Sequence, residues 1–522
     1  MDGGADPRRI RPRRQRHPGR IRSRAGGHDL NRIREVVLAG ALALRAPILP
    51  PATNPPAAPI LPRPPVRFVW PQLGFDSSHS GVNPSERAIG PSTVARLRVR
   101  FRTPLPAVAD GAPAFLSAVD TPEGTRDLLF VTTKAGHLVA VDAATGEIVW
   151  ARQPASGPRY TTSSPAIDPP RSFVYSYGLD GFVHRFRPGD GEEDTGAGFP
   201  QLATRKPDVE KGSSALAIAT DRSGRSRLYV ANGGYPGDAG DYQGHVTAID
   251  LSNGAQKVFN AACADLPIHF DESGSPATDC ARVQSAMWAR AGAVYSPATD
   301  RIYVATGNGV YDGVANWGDS VLALSPDAGV LVDSYTPAEY QHLQDVDADL
   351  GSSDLALFRP SSGENLGVQV GKDGVLRVLR LDDLSGNGGP GRTGGEIQKL
   401  GAPGGAEVLT LVVSAPDPSG GEPWIHVAND LGVAGYQWDA GTSRLELRWT
   451  ITPGASSPAF AGGLLFVARP GLVRALDPRT GETLWSDAGI GGIHWQSPIV
   501  ARGNLYIEDE AGFLTAYSID GK

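Results

Sequence analysis

Cysteine is nearly absent: 522 residues hold two, Cys263 and Cys280, alongside two methionines. A cysteine-rich metal module or a dense disulfide framework is therefore excluded, and no Cys-x-x-Cys-His run is present to attach a haem. The chain also lacks a Gly-x-Ser-x-Gly elbow, a Gly-x-x-x-x-Gly-Lys loop and a His-Glu-x-x-His helix, so hydrolase, nucleotide-binding and zinc-protease readings have no support. The apolar run from Val36 to Leu44 is nine residues, far too short to cross a bilayer. Behind its arginine cluster it suits a secretory segment, which predicts an extracytoplasmic protein; a disordered head or translation from an upstream start is the alternative. Charge is modest at 20% of residues and uneven: the first 50 carry twelve Arg against four acidic residues, leaving −15 on the remainder of a chain whose net charge is −7. An acidic body argues against binding a phosphate backbone, and the basic head has no interleaved aromatics on which bases could stack, so no nucleic-acid partner is expected. The boundaries implied are a disordered basic, Pro-rich head over 1–65 and one folded body over 66–522. Cys263 and Cys280 lie in one polar loop rich in Asp, Ser and Pro, which in an exported protein reads as a disulfide worth roughly 3 kcal/mol; two free thiols are the alternative.

What the chain has is a repeated unit. Gly136-His137-Leu138-Val139-Ala140-Val141-Asp142 runs on through Thr145-Gly146-Glu147 to Trp150, and the same spacing returns from Gly471 through Asp477, Thr480 and Gly481 to Trp485. Alternating apolar residues, an Asp-x-x-Thr-Gly turn and a short run ending in Trp describe two antiparallel strands joined by a tight turn. One such hairpin cannot bury its faces, so copies must stack. Eight strands of this type end near Asp142, Phe186, Asp250, Ser325, Asp382, Trp438, Asp477 and Ser518. Small-residue entries such as Ser163-Ser164-Pro165, Ser456-Ser457-Pro458 and Gln496-Ser497-Pro498 suit crowding at a ring centre. The fold class expected is all-β: an eight-bladed β-propeller of four-stranded antiparallel blades. The last unit stops without an outer strand, and Leu97-Arg98-Val99-Arg100-Phe101 precedes the first, so N- and C-terminal strands should pair and close the ring. Units three to five carry insertions around 232–244, 260–287, 307–318 and 336–354, where a site is expected.

The fifteen-residue unit resembles the tryptophan-docking repeat of the pyrroloquinoline quinone (PQQ) dehydrogenase superfamily, over roughly residues 68–520. The resemblance implies an eight-bladed propeller; non-catalytic outer-membrane assembly proteins share the repeat. Ser285-Ala286-Met287-Trp288 followed by Thr306-Gly307-Asn308 is similar to the quinoprotein segment with a ring-stacking Trp and a calcium-ligand Asn, which implies that Trp288 stacks on PQQ and Asn308 binds Ca²⁺. The stretch Asp345-Val346-Asp347-Ala348-Asp349 resembles the one leading to the catalytic Asp, with Asp349 the best match and Asp347 the next. Gly371-Lys372-Asp373-Gly374 resembles the segment that sets a cation on the cofactor, and Gly318-Asp319-Ser320 a family Gly-Asp-Asn. The family's calcium-binding Glu has no counterpart: Ala239 stands there, leaving Asp238 or Asp241 to substitute. Thr161-Thr162-Ser163-Ser164 replaces the family's adjacent cysteines, and its aromatic after the Asn motif is displaced to Trp317.

Each of these residues has an ordinary structural reading as well. Trp288 suits a contact between blades, Asn308 a turn, and Lys372 a hairpin turn. Asp345, Asp347 and Asp349 alternate, so on a strand they would share a face and call for a cation, or else form a solvated loop. Three functions follow. The first is an exported binding or scaffold propeller with a protein partner. The second is a PQQ- and Ca-dependent oxidoreductase of alcohols or polyols, passing electrons to an external acceptor. The third is a carbohydrate or cell-surface binding module.

Overall fold

The computed structural model describes residues 67–157, 159–271 and 279–522. The head expected over 1–65, with its secretory segment, lies outside the described residues. Eight small sheets follow one another in chain order, and each runs from an inner strand at the hub to an outer strand at the rim. The first blade consists of Ala114–Thr121, Gly124–Thr132, Leu138–Asp142 and Ile148–Arg152, and the seventh of Ala459–Ala461, Leu464–Arg469, Leu472–Leu476 and Thr483–Asp487. Among the described residues one α-helix occurs, Tyr340–Asp345. The all-β eight-bladed propeller read from the repeats is therefore the fold.

The repeat works through its turn. Asp142 Oδ1 accepts the Ala144 and Thr145 N–H groups at 2.8 and 3.0 Å, while Gly146 N–H donates to the Asp142 carbonyl at 2.8 Å. The second copy closes in the same way, Gly481 donating to the Asp477 carbonyl at 2.9 Å. The rim tryptophans then join neighbouring blades. Trp150 Nε1 donates to the Pro188 carbonyl at 2.9 Å and Trp449 Nε1 to that of Pro478 at 3.0 Å.

Closure is by the expected pairing. Leu97–Pro104 lies antiparallel to Phe513–Ile519, from Leu97 opposite Ile519 to Pro104 opposite Phe513, with a bulge between Val99 and Phe101. In this blade Phe101 takes the tryptophan's place. A Cβ built on Gly146 would come within 2.6 Å of the Phe101 ring, and Thr103 Oγ1 donates to the Gly146 carbonyl at 2.6 Å.

Not every blade has four antiparallel strands. Val69–Trp70 adds to the first inner strand, Glu210–Lys211 to the third blade, and Val82–Asn83 runs parallel to the seventh inner strand. The first and last of these belong to one N-terminal segment that crosses the hub. Along it, Val69 pairs with Leu116, the Pro71 carbonyl accepts Ile167 N–H at 2.8 Å, and Gln72 Oε1 accepts Ile218 N–H at 2.8 Å. The Ser77, Ser80 and Gly81 carbonyls accept from Tyr295, Ser414 and Phe460, and Asn83 Nδ2 donates to the Val500 carbonyl at 2.8 Å. Inner strands of seven blades are thus tied together. The bonds fall within the inner strands, so the segment runs against the hub of the ring.

Candidate functional site

Loops leading into the inner strands and loops that follow the second strands meet at one cavity. After the strand Arg301–Ala305, Gly307 N–H donates to the Ala286 carbonyl and the Gly307 carbonyl accepts Asp319 N–H, at 2.8 and 2.9 Å. This clamps the turn so that Asn308 N–H reaches Asp349 Oδ1 at 2.6 Å. A Cβ at 307 would stand 2.3 Å from the same carboxylate oxygen, so any larger residue there would displace Asp349. Asp349 is fixed from below by Asp319, whose Oδ1 accepts Leu350 N–H at 3.0 Å, and from the side by Lys372 N–H on its own carbonyl at 3.0 Å. The Lys372 ammonium lies 2.6 Å from Asp349 Oδ2 and 3.3 Å from Asp347 Oδ1, and 5.5 Å from the centroid of Trp288. Trp288 meets Trp495 edge to face at 5.8 Å, a contact worth about 1 kcal/mol beyond its burial.

These groups line one cavity of about 310 Å³ together with Asp238, Asn308, Tyr235, Thr162, Lys211 and Arg290. The volume is at the lower end of the range for small-molecule sites. Of the residues read from the sequence, Trp288, Asn308, Asp347, Asp349, Lys372 and Asp238 come together here. Asp241 does not line the cavity: its carboxylate faces Lys206 Nζ at 3.4 Å and accepts from Gln243 Nε2 at 3.0 Å. Asp238 Oδ1 accepts the Tyr242 hydroxyl at 2.6 Å. The Asn308 side-chain amide makes no hydrogen bond among the described residues and opens onto the cavity.

Burial sets the electrostatics. It pushes Asp319 up to about 8, with the Leu350 N–H pulling the other way. It also raises Asp349, against the pull of Lys372 and the Asn308 N–H. For Lys372 burial works against the charge, but Asp349 and Asp347 outweigh it and hold the ammonium above the usual lysine range. The cavity thus keeps a buried carboxylate ready to take a proton next to a fixed cation.

Of the two readings of Asp345, Asp347 and Asp349, the loop is the one found: Asp345 ends the helix Tyr340–Asp345, Asp347 has φ 55°, and a 3₁₀ turn follows at Leu350–Ser352. The insertion has no ladder partner, so local turns decide its path. Trp317, expected as a displaced site aromatic, is buried in the core against Tyr311. The loop cysteines form the disulfide Cys263–Cys280, with Cα atoms 6.0 Å apart.

Lys211, Arg290 and Trp495 also line the cavity and were not singled out from the sequence. A signal was available: Trp495 and Thr162 immediately precede the small-residue entries Gln496-Ser497-Pro498 and Ser163-Ser164-Pro165, which approach the axis. Trp495 and His494 also border a neighbouring cavity of about 450 Å³ that holds none of the candidate catalytic, cofactor or metal residues read from the sequence. Among the described residues one three-ligand group, Asp110, His494 and Glu510, has metal-like spacing. Lys134 already bridges its two carboxylates at 3.2 and 3.1 Å, which accounts for the cluster without an ion.

A family model described as outer membrane protein assembly factor BamB matches residues 96–262 and 410–522. No curated protein matches the chain. Among solved structures, the quinohemoprotein alcohol dehydrogenase ADHIIG from Pseudomonas putida HK5 is 14% identical, with 87% of this chain and 80% of that one covered and a TM-score of 0.63. A quinohemoprotein alcohol dehydrogenase from Comamonas testosteroni is 15% identical, covering 87% and 81%, with a TM-score of 0.61. A europium-containing methanol dehydrogenase is 17% identical, covering 84% and 89%, with a TM-score of 0.58. At these identities the likeness is one of fold. Among the described residues no helix is long and apolar enough to cross a membrane.

Proposed function

The chain belongs to the PQQ-repeat family of β-propellers whose model is described as outer membrane protein assembly factor BamB, and we propose that it uses that frame to hold a quinone of the PQQ class beside a hard cation and to oxidise an alcohol-type substrate. The observation that carries this reading is that Trp288, Asn308, Asp238, Asp349 and Lys372, drawn from separate loops, line one cavity. The family match leaves out 263–409, the stretch that supplies four of those five residues. The cavity draws on both parts: Lys211, Asp238 and Trp495 lie in the matched segments, and Trp288, Asn308, Asp349 and Lys372 in the unmatched middle.

The residues suit such a ligand. Trp288 and Trp495 offer flat apolar walls to a planar ring. Lys372 offers positive charge beside it. Asn308 Oδ1 and Asp238 are the oxygen donors that calcium-like cations take. A bound quinone would supply an electron-accepting carbonyl, and an external acceptor would take the electrons onward. The chain's own part is acid–base work: Asp349, raised by burial, accepts the hydroxyl proton of the alcohol, and the Lys372 ammonium stabilises the charge left nearby. The disulfide Cys263–Cys280 supports an extracytoplasmic location.

Titrating the full chain with PQQ and Ca²⁺, or with PQQ and a lanthanide, should give a quinone absorption band and dye-linked alcohol oxidation. Asn308→Ala should weaken both, and Asp349→Asn should keep the band while losing oxidation. If no band forms under conditions that load a known quinoprotein, the reading fails. The family description then favours a propeller that binds a protein partner, which a pull-down would identify.

A further inference from the structure

The cavity has a second wall that this chemistry does not use. Lys211 ends the strand Glu210–Lys211, whose partners Gly233 and Gly234 leave room for it at the cavity edge. Its side chain is buried, with 7% of the residue exposed, yet it makes no ion pair or hydrogen bond among the described residues. Its ammonium lies 4.3 Å from the Tyr160 ring centroid. Behind it, the fully buried Arg290 has given its guanidinium to three backbone carbonyls, those of Ser213, Asp110 and Thr162, at 3.1–3.3 Å. The charged groups that act on Lys211 are Arg290, Asp110 and Lys134, and Asp110 is already bound to Lys134 and His494. Burial, with Arg290 next, draws Lys211 down to about 7. Asp238, Asp347, Asp349 and Lys372 line the same cavity, and none of them pairs with Lys211. An unpaired ammonium in such a place is costly unless an anion arrives to meet it.

We propose that Lys211 seats a carboxylate of the ligand that enters this cavity, so that the ligand is an acid gripped at one end by Lys211 and presented at the other to Asp349. This rests on the cavity being the ligand site proposed above, but not on the ligand being a quinone. The carboxylate is either one of PQQ's own or that of a hydroxy-acid substrate, and the two sources are separable by experiment.

The full chain and its Lys211→Met and Lys211→Arg variants are titrated at pH 8 with PQQ, by tryptophan quenching and by calorimetry in two buffers of different ionisation enthalpy. At that pH Lys211 is mostly neutral, so seating a carboxylate should draw in close to one proton. Lys211→Met should weaken PQQ roughly 10–100-fold and abolish the uptake, as expected for loss of a charge-assisted hydrogen bond. Lys211→Arg should keep most of the affinity without uptake. If Lys211→Met leaves PQQ binding intact but weakens glycerate relative to glycerol on the PQQ-loaded protein by about tenfold or more, the carboxylate is the substrate's. If it changes neither, the inference is overturned while the quinone reading stands. Should the unaltered chain bind no PQQ, the quinone reading falls, and benzene-1,3,5-tricarboxylate decides the rest. Binding that depends on Lys211 upholds the anchor, and binding that is absent or indifferent to it overturns the anchor.

Discussion

Ring closure can be tested at one glycine. Gly146 has φ 79°, and a Cβ on it would stand 2.6 Å from both the Phe101 ring and Thr103 Oγ1 of the closing strand. Gly512 has φ 80° in the hairpin leading to the partner strand, with nothing within 4 Å of its Cβ position. The two substitutions to Ala share the cost of left-handed backbone, about 1–2 kcal/mol. Gly146→Ala adds overpacking against Phe101, about 1–3 kcal/mol more. Phe101→Ala alone, at a half-buried ring, should cost about 2 kcal/mol. Made in that background, Gly146→Ala should fall toward the Gly512→Ala value, a coupling of 1 kcal/mol or more. Urea unfolding gives the free energies. Hydrogen exchange across Leu97–Pro104, referred to Leu464–Arg469, reports whether the loss is spent on opening the seam. Equal costs for the two glycine substitutions, with unchanged exchange in the closing strand, would refute the docking of Phe101 on the first blade's turn.

Glu508 is fully buried, its Oε1 has no partner, and burial, with Asp110 next, pushes it up to about 8. A carboxyl raised above its unfolded value costs nothing in acid and takes stability away as pH rises toward the folded pKa. The stability advantage of Glu508→Gln should therefore grow from pH 5 to pH 8 by an amount on the order of 4 kcal/mol, read from urea midpoints at each pH. Reducing Cys263–Cys280, which closes a span of 17 residues, should cost about 3 kcal/mol by the same measurement.

The blades were legible because their chemistry is local. Asp142 meets the N–H groups of Ala144 and Thr145, two and three residues on, so the turn can be read from its own letters. Trp288, Asn308, Asp349 and Lys372 were legible as motifs, and the fold brings them to one cavity. What escaped was non-local. Lys211 meets the Tyr160 ring and feels the charge of Arg290, both distant in sequence, and nothing in its own neighbourhood of sequence announces an unpaired ammonium. The crossing of the hub rests on bonds such as Gln72 to Ile218, 146 residues apart, and Ser78 to Tyr295, 217 apart. Phe101 stands in for a rim tryptophan only once the two termini have met. The Asp345 to Asp349 stretch stayed open between a strand face and a loop, because alternation implies a shared face only where a ladder holds the backbone extended.

That N-terminal crossing also decides how the ring comes apart. Val69 to Asn83 is bound to the inner strands of the first and the last blade among others, so it fastens the seam at the hub while Leu97–Pro104 fastens it at the rim. Both fasteners are spun from one short stretch of chain, so the first and last blades can part only when both have let go.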